Sequence, residues 1–316
     1  MKAKSFEELQ QPSRKPWLII LLLVLIVIFF AQRCASTRRG TDDSPKVGRE
    51  REQADAGGSD QATTNRVESI GERDVDWAGR FDRAVSKEKD GKLVEARNIY
   101  LNMVQALPAG RLRKRAEQRL GRINIKLVMT PRPMPEKVDY IVKSGDQLQK
   151  IARKFGTTVE LIQVSNGIKN RNMIKPGDRL RILEGDFSII VSKSNNDLEL
   201  RLNGGFFKRY EVGTGKFGRT PEGTFKITNK IPNPPWYRPD GKVIPFGDDD
   251  NILGTRWMSL KATGDTSDAR GYGIHGTWEP ESIGKAESAG CVRMRNDEVE
   301  ELFVLVPRGT PVVIKK

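Results

Sequence analysis

Apolar and polar residues alternate through the C-terminal part of the chain, from Asp186 to Lys316. Runs such as FSIIVS and DLELRL place apolar residues two apart, a spacing that puts them on one face of a β-strand. NND (195–197) and NGG (203–205) separate these runs and are typical of tight turns between strands. Helical periodicity is rare here, and RNDEVEELFVLV (295–306) is its best example. We therefore expect residues 186–316 to form a mainly-β domain.

Trp17–Ala31, WLIILLLVLIVIFFA, is an uninterrupted apolar run of fifteen residues with basic side chains on both flanks. The run is shorter than the roughly 20 residues with which a helix usually crosses a bilayer. Snorkelling of the basic side chains can make up the difference. A cleaved signal peptide is the alternative, but AQRCAS has an arginine where small neutral residues are required. We therefore predict a cytoplasmic tail and a single-pass membrane anchor over residues 1–35.

Three further segments separate this anchor from residue 138. Residues 36–74 contain almost no large apolar side chain, so we expect a disordered tether. Residues 75–129 carry three apolar stripes at helical spacing and predict a small all-α spacer. Within it, DGKLVEARNIYLNMVQALP resembles one tetratricopeptide-type hairpin, although a single repeat cannot bury its own apolar face. TPRPMPEK (130–137) predicts a stiff, extended, proline-rich linker.

The charge of the chain is strongly basic and unevenly distributed. Lys and Arg number 55 against 41 Asp and Glu, a formal net charge of +14. Residues 186–316 hold 19 basic and 18 acidic side chains, so nearly all of the excess lies in residues 1–185. A basic half can face nucleic acid, anionic lipid or an acidic polymer. Because no nucleic-acid-binding motif is recognisable, we expect no nucleic-acid partner.

Residues 138–184 show the order strand, helix, helix, strand. Tyr140 and Val142 alternate as in a strand, and Leu148, Ile151 and Phe155 then follow at helical spacing. The motifs VKSGD, IARKFG, SNG and IKPGDRL occur in order, and the segment resembles the LysM module, a small α+β fold of order βααβ.

The LysM resemblance implies binding to polymers that contain N-acetylglucosamine, such as peptidoglycan. The sugar would lie in a shallow groove near Gly145-Asp146 and residues 166–174. A LysM fold that has lost its sugar affinity is the alternative.

The only histidine of the chain, His275, lies sixteen residues before Cys291. A cysteine that attacks a carbonyl reacts as the thiolate, and a neighbouring imidazole is the usual base that generates one. The small residues before Cys291 let a substrate approach the backbone, and they leave the N–H groups of Gly290 and Cys291 free to bind a developing oxyanion. A surface histidine and an unrelated buried cysteine are the alternative, since catalytic pairs meet in space rather than in sequence.

Five motifs occur in order around this pair: TPEGTF (220–225), NILGTRWMSL (251–260), YGIHGT (272–277), SIG (282–284) and SAGCVRM (288–294). Together they resemble the catalytic domain of the L,D-transpeptidases, the YkuD family. The resemblance implies that His275 is the general base and acid and that Cys291 is the acyl-accepting nucleophile. It also implies that four residues bind the oxyanion or the substrate: Ser288, Gly290, Gly276 and Arg293.

Ala289 and Gly276 are two further positions to compare with the family pattern. Many members have histidine where this chain has Ala289, a departure that leaves both catalytic roles filled. Gly276 has no side chain, so any bond that orients the His275 ring must come from a backbone carbonyl.

The family's chemistry implies that the thiolate attacks the carbonyl of the third residue of a peptidoglycan tetrapeptide stem, an L-centre. D-alanine departs, a thioester remains, and an amine of another stem resolves it. An L,D-carboxypeptidase, in which water resolves the thioester, has the same motifs, and a non-catalytic peptidoglycan-binding protein is a further alternative. We expect no cofactor and no metal, because one histidine and two distant cysteines cannot furnish a typical zinc site.

The sequence thus predicts a multidomain chain: an N-terminal membrane anchor, a short all-α spacer, a small α+β LysM module and a mainly-β L,D-transpeptidase domain. Its partners would be peptidoglycan and, through the N-terminal helix, the cytoplasmic membrane. This combination predicts that the catalytic part lies outside the cytoplasmic membrane.

Overall fold

The computed structural model describes residues 75–316. The predicted membrane anchor and tether lie outside the described residues and stay predictions. Between residue 75 and the C-terminus, no helix has both the length and the apolar character that crossing a membrane requires.

Three helices open the described part of the chain: α1 (Trp77–Lys89), α2 (Leu93–Ala106) and α3 (Arg111–Val128). The Asp76 carboxylate accepts a hydrogen bond from the Gly79 amide at 2.8 Å and so caps the start of α1. Between α1 and α2, Gly91 takes a φ of 75°, a left-handed conformation that favours glycine. The helical prediction for residues 75–129 is confirmed.

The three helices pack on the main sheet instead of standing free as a spacer. Their buried apolar side chains, such as Phe81, Tyr100 and Leu120, belong to the same core as the sheet. The fully buried Asn124 of α3 donates to the carbonyl of Phe207 at 2.8 Å. This sharing of a core has a simple cause, because one helical hairpin cannot bury its apolar face alone.

Residues 137–183 form a small unit of order βααβ: β1 (Lys137–Ile141), α4 (Leu148–Lys154), α5 (Val159–Asn166) and β2 (Arg179–Leu183). β1 and β2 pair in antiparallel fashion, with Tyr140 opposite Leu180. The unit has an apolar cluster of its own, which includes Leu148, Ile151 and Ile182. The predicted LysM-type architecture is therefore confirmed.

The segment before β1 differs from the extended linker that the sequence predicts. Met134 is buried in the main core. The Lys137 amine donates to the carbonyls of Leu127 at 2.7 Å and Thr130 at 2.5 Å, at the C-terminal end of α3. Residues 130–137 therefore bend back onto the helices, because an apolar side chain and an amine both find partners there.

The remaining chain is mainly β, as predicted. Its strands are β3 (Phe187–Ser192), β4 (Asp197–Leu202), β5 (Gly205–Glu211), β6 (Thr214–Gly215), β7 (Gly223–Pro232), β8 (Trp236–Tyr237), β9 (Val243–Ile244), β10 (Arg256–Thr263), β11 (Gly273–His275), β12 (Ala286–Ser288), β13 (Val292–Arg293) and β14 (Pro311–Lys315). The helix α6 (Asn296–Leu305) lies between β13 and β14. Asn196, Asn203 and Gly204 take positive φ at the predicted turns, as tight hairpins require.

Eight strands make one sheet in the order β13-β11-β10-β7-β14-β3-β4-β5. The chain after β5 returns to the opposite edge, where Gly213 and Arg293 exchange two backbone hydrogen bonds of 2.9 Å. β6 then pairs in parallel with β12. These pairings curl the sheet and bring the segment after β5 beside the loop that precedes β13.

The LysM unit contacts the end of α6. The hydroxyl of Thr158 donates to the carbonyl of Val304 and also caps α5 by accepting from the Leu161 amide. Leu161 itself is buried in the main core. The unit is therefore packed against the mainly-β domain and shares apolar contacts with it.

Candidate active site

The parallel pairing of β11 with β13 places His275 and Cys291 on the same face of the sheet. In this register Ile274 lies beside Val292 and His275 beside Arg293. Ile274 and Val292 are buried in the core. Because side chains alternate along a strand, His275 and Arg293 lie on the other face, and Cys291, two residues before Arg293, falls on that face too. Residues sixteen apart in sequence thus lie on one face of the sheet, at two neighbouring strands.

The His275 ring is buried and held in one tautomer. His275 is only 2% exposed, and its Nδ1 lies 2.6 Å from the Gly276 carbonyl oxygen. A carbonyl can only accept, so Nδ1 carries the proton and Nε2 keeps its lone pair. As the sequence suggests, the orienting bond comes from a backbone carbonyl.

Burial also keeps the imidazole uncharged. It lowers the pKa of His275 to about 4, and the nearby carbonyls of Gly276 and Leu253 offset only part of this effect. The charge of Arg293 lowers the same pKa further. At neutral pH His275 is therefore a neutral ring whose Nε2 keeps its lone pair.

Trp257 of β10 covers the imidazole. It lies opposite His275 in the antiparallel register, and the two rings stack with centroids 5.6 Å apart and 26° between their planes. The indole N–H donates to the hydroxyl of Ser259 at 2.8 Å, which fixes the ring. Gly273 makes room, since a Cβ there would lie 2.7 Å from the indole. Trp257 was not singled out from the sequence, although it lies within NILGTRWMSL.

Asn296, the first residue of α6, fixes the backbone around His275. Its Oδ1 accepts from the Thr255 amide at 3.1 Å. The same oxygen lies against Gly254 and Gly276, and a Cβ on either glycine would collide with it. Asn296 therefore holds the turn that precedes β10 next to Gly276, whose carbonyl orients the imidazole. No catalytic motif in the sequence marks this residue, because asparagine is also ordinary at a helix start.

Ser288 shapes the loop that carries the cysteine. Its hydroxyl donates to the Cys291 carbonyl at 2.7 Å and accepts from the Gly290 amide at 3.0 Å. Gly290 takes a φ of 141°, and a Cβ there would lie 2.6 Å from the ring of Tyr272. The prediction that the Gly290 N–H is free for an oxyanion is wrong in this structure, because Ser288 accepts its hydrogen bond. Ser288 is thus a loop-shaping residue here.

The Cys291 thiol is partly exposed and protonated at rest. Its Sγ lies 3.8 Å from the Gly271 carbonyl oxygen. Burial raises the pKa of Cys291, while the Gly273 amide and the charge of Arg293 act in the opposite direction. Within residues 75–316, no hydrogen bond joins Sγ to the His275 ring. At neutral pH both groups are therefore uncharged in the resting site.

Arg293 lies beside this pair and keeps one unused donor. Its guanidinium pairs with Glu279 at 3.0 Å. Its Nε is buried and has no hydrogen-bond partner among the described residues. A buried N–H without a partner costs free energy. Among residues 75–316, the acidic, histidine and cysteine side chains form no group that could hold a metal.

The arrangement fits acyl transfer through a cysteine. A partly exposed thiol lies on the same sheet face as a buried ring whose second nitrogen keeps its lone pair, and a fixed carbonyl holds the tautomer. The Cys291 amide makes no hydrogen bond to any described residue and can donate to an oxyanion.

Comparison with known proteins identifies relatives of two parts of the chain. Residues 186–314 match the YkuD family model, described as an L,D-transpeptidase catalytic domain, and residues 140–183 match the LysM domain. YqjB of Bacillus subtilis, named as an L,D-transpeptidase, is 48% identical over 133 residues, which cover 42% of this chain and 73% of YqjB. YkuD of the same organism, named likewise, is 37% identical over 186 residues, which cover 56% of this chain and 98% of YkuD.

One solved structure is similar to part of the chain. The NMR structure of the catalytic domain from E. faecium L,D-transpeptidase is 27% identical, covers 42% of this chain and 98% of that chain, and has a TM-score of 0.33.

Proposed function

This chain belongs to the YkuD family of L,D-transpeptidases, and we propose that Cys291 is the nucleophile and His275 the general base and acid of its acyl transfer. The observation that supports the proposal best is the Nδ1–H tautomer of His275, held by Gly276 at 2.6 Å, on the same sheet face as Cys291. A neutral imidazole with a free Nε2 can take the thiol proton as the sulfur attacks.

The reaction runs in two halves. In the first, Cys291 Sγ bonds to the carbonyl carbon of the third stem residue, and the thiol proton moves to His275 Nε2. The C–N bond to D-alanine then breaks, and His275 gives the proton to the departing amine. In the second half, an acceptor amine attacks the thioester and passes its proton to His275. The new amide forms and the thiol is restored.

Backbone and guanidinium groups stabilise the tetrahedral intermediates. The Cys291 amide is the proposed oxyanion donor, because it makes no other hydrogen bond within the described chain. The unpartnered Nε of Arg293 is the proposed donor to a backbone oxygen of the stem. Each donor aimed at developing charge in a closed site contributes strongly to rate.

An L,D-carboxypeptidase is the second candidate, because water can resolve the same thioester. Incubation of the protein with disaccharide tetrapeptide, followed by mass spectrometry, separates the two activities. We expect a cross-linked dimer that lacks one D-alanine, and none with Cys291→Ala. Tripeptide monomer as the only product would show carboxypeptidase activity, and unchanged substrate would support a non-catalytic wall-binding protein.

The N-terminal parts of the chain give the proposed location. The LysM module would bind N-acetylglucosamine-containing glycan strands. Trp17–Ala31 would anchor the protein in the cytoplasmic membrane, and the catalytic part would lie outside that membrane. Protease digestion of intact spheroplasts tests this topology, since only an outward-facing catalytic domain would be cleaved.

A further inference from the structure

Phe217 combines two features that packing does not explain. At 92% exposure it is the most exposed of the large apolar side chains in the described part of the chain. Its backbone has φ 52° and ψ 32°, a left-handed conformation that is rare for a bulky residue and costs free energy. Such strain is typical of functional sites, where the surrounding structure enforces it.

The turn that carries Phe217, Lys216–Arg219, is held at several points. The Arg219 amide donates to the Lys216 carbonyl at 3.0 Å, which closes the turn. The Gly215 amide donates to the Thr220 hydroxyl at 2.7 Å. From outside, the Lys193 amine donates to the Gly218 carbonyl at 3.2 Å. The aromatic ring is therefore presented to solvent from a fixed backbone.

This turn packs directly against the loop of the nucleophile. Gly215 pairs with Ser288 in the β6–β12 ladder. A Cβ on Gly215 would lie 2.8 Å from the Cα of Gly290, and a Cβ on Gly290 would lie 3.2 Å from the Arg219 carbonyl. Phe217 therefore stands near the rim of the active site, on the side of the residue that precedes Cys291.

The proposed reaction indicates which part of a bound substrate would lie next to Phe217. His275 must reach the leaving amine and later the acceptor amine, so both amines lie on the imidazole side of the scissile carbonyl. The acyl part of the donor would then extend on the other side of that carbonyl, toward Gly290.

We propose that Phe217 is a donor-specificity residue, whose ring packs against the aliphatic carbons of the donor stem on the acyl side of the scissile bond. This inference rests on the proposed acyl transfer. An exposed ring that gains a partner only with substrate accounts for both the exposure and the tolerated strain.

Phe217→Asn and Phe217→Tyr test this contact. Asparagine removes the ring and tolerates left-handed backbone, whereas tyrosine keeps the ring. In release of D-alanine from soluble tetrapeptide, Phe217→Asn should raise the donor KM about tenfold, with kcat and the acceptor KM little changed. Phe217→Tyr should stay near the parent. Val164→Asn, which removes another exposed apolar side chain, is the matched control and should behave as the parent.

Two measurements without turnover complete the test. Donor binding to Cys291→Ala proteins, followed by calorimetry, should weaken about tenfold when Phe217→Asn is added. The thermal midpoint of Phe217→Asn should rise by about 2–4 °C, because strain is relieved. An unchanged donor KM and Kd, or a lowered midpoint with slower alkylation of Cys291 by iodoacetamide, would overturn the proposal. If the parent releases no D-alanine but the difference in Kd remains, the acyl-transfer proposal fails and the Phe217 contact stands.

Discussion

At the scale of single residues, the resting pair of Cys291 and His275 carries no charge. Burial lowers the pKa of His275 to about 4 and raises that of the Cys291 thiol. Proton transfer from Sγ to Nε2 in the free enzyme is therefore uphill. It becomes favourable only as the S–C bond forms and the oxyanion takes up the charge, so thiol deprotonation and attack are coupled.

The state of His275 can be measured directly, because it is the only imidazole in the chain. In ¹⁵N-histidine-labelled protein we expect one ring, protonated at Nδ1 at neutral pH and titrating near pH 4. A titration near 6.5, the ordinary value for imidazole, would contradict the buried neutral state.

The same pKa shift predicts how stability depends on pH. Between about pH 6.5 and pH 4 the unfolded chain binds a proton at His275 that the folded chain does not. This contribution to stability is complete above the unfolded pKa and is lost as pH falls toward 4, at about 3 kcal/mol in all. Denaturant titrations at pH 7 and pH 4 should show this loss in the parent and not in His275→Gln. An equal loss in both proteins would assign the effect to other groups.

Asn296 is expected to act on the rate through the backbone that it holds. Asn296→Ala removes the acceptor for the Thr255 amide and leaves space beside Gly276. We expect kcat to fall about tenfold or more, the KM to change little, and the His275 Nδ1 resonance to shift. Asn296→Asp keeps an oxygen acceptor and should recover most of the rate. Lowered stability with an unmoved Nδ1 resonance would indicate a structural role only.

At the scale of elements, the spacing of apolar residues predicted the strands and helices that local sequence determines. The β3–β5 hairpins follow from alternation and from the turns NND and NGG, and the βααβ order of residues 137–183 was predicted correctly. Residues 130–137 were predicted wrongly, because the burial of Met134 depends on a surface that only the folded helices create. Gly290 was also misjudged, since its N–H bonds to a serine two residues earlier and glycine content alone does not reveal that bond.

The LysM element carries a prediction of its own. Met173 is 66% exposed in the loop after α5, where the sugar groove is expected. Met173→Ala should weaken pull-down on insoluble peptidoglycan by about fivefold and leave turnover of small soluble stems unchanged. Val164→Ala, at a position 50% exposed on α5, is the control. If both variants bind the wall as the parent does, wall affinity lies elsewhere, for which the basic helical region is the first candidate.

At the scale of the whole described chain, the helices, the LysM unit and the sheet are not independent modules. Asn124 accepts from Arg97 Nε at 2.7 Å and donates to the Phe207 carbonyl at 2.8 Å, so it joins two helices to the edge strand of the sheet. The sequence could not show this contact, because it joins residues 83 positions apart and neither belongs to a motif.

Asn124→Ala should therefore destabilise the sheet as well as the helices. It leaves a buried guanidinium N–H and a buried carbonyl without partners, at a cost of about 3 kcal/mol. We expect thermal loss of helical circular dichroism and loss of D-alanine release to shift down together. Asn172→Ala, in an exposed loop, is the control. If the midpoint of helical unfolding shifts and the midpoint of activity loss does not, the helices are an independent unit.

The central claim is that the sulfur of Cys291 accepts the acyl group of the stem. The mass of the protein during turnover tests this claim most directly. The protein is mixed with tetrapeptide donor, quenched in acid within the first turnovers, and analysed intact and after digestion. We predict an added mass equal to the donor minus D-alanine, confined to the peptide that contains Cys291 and absent from Cys291→Ala. Release of D-alanine by Cys291→Ala, or an acyl adduct on another residue, would contradict the account.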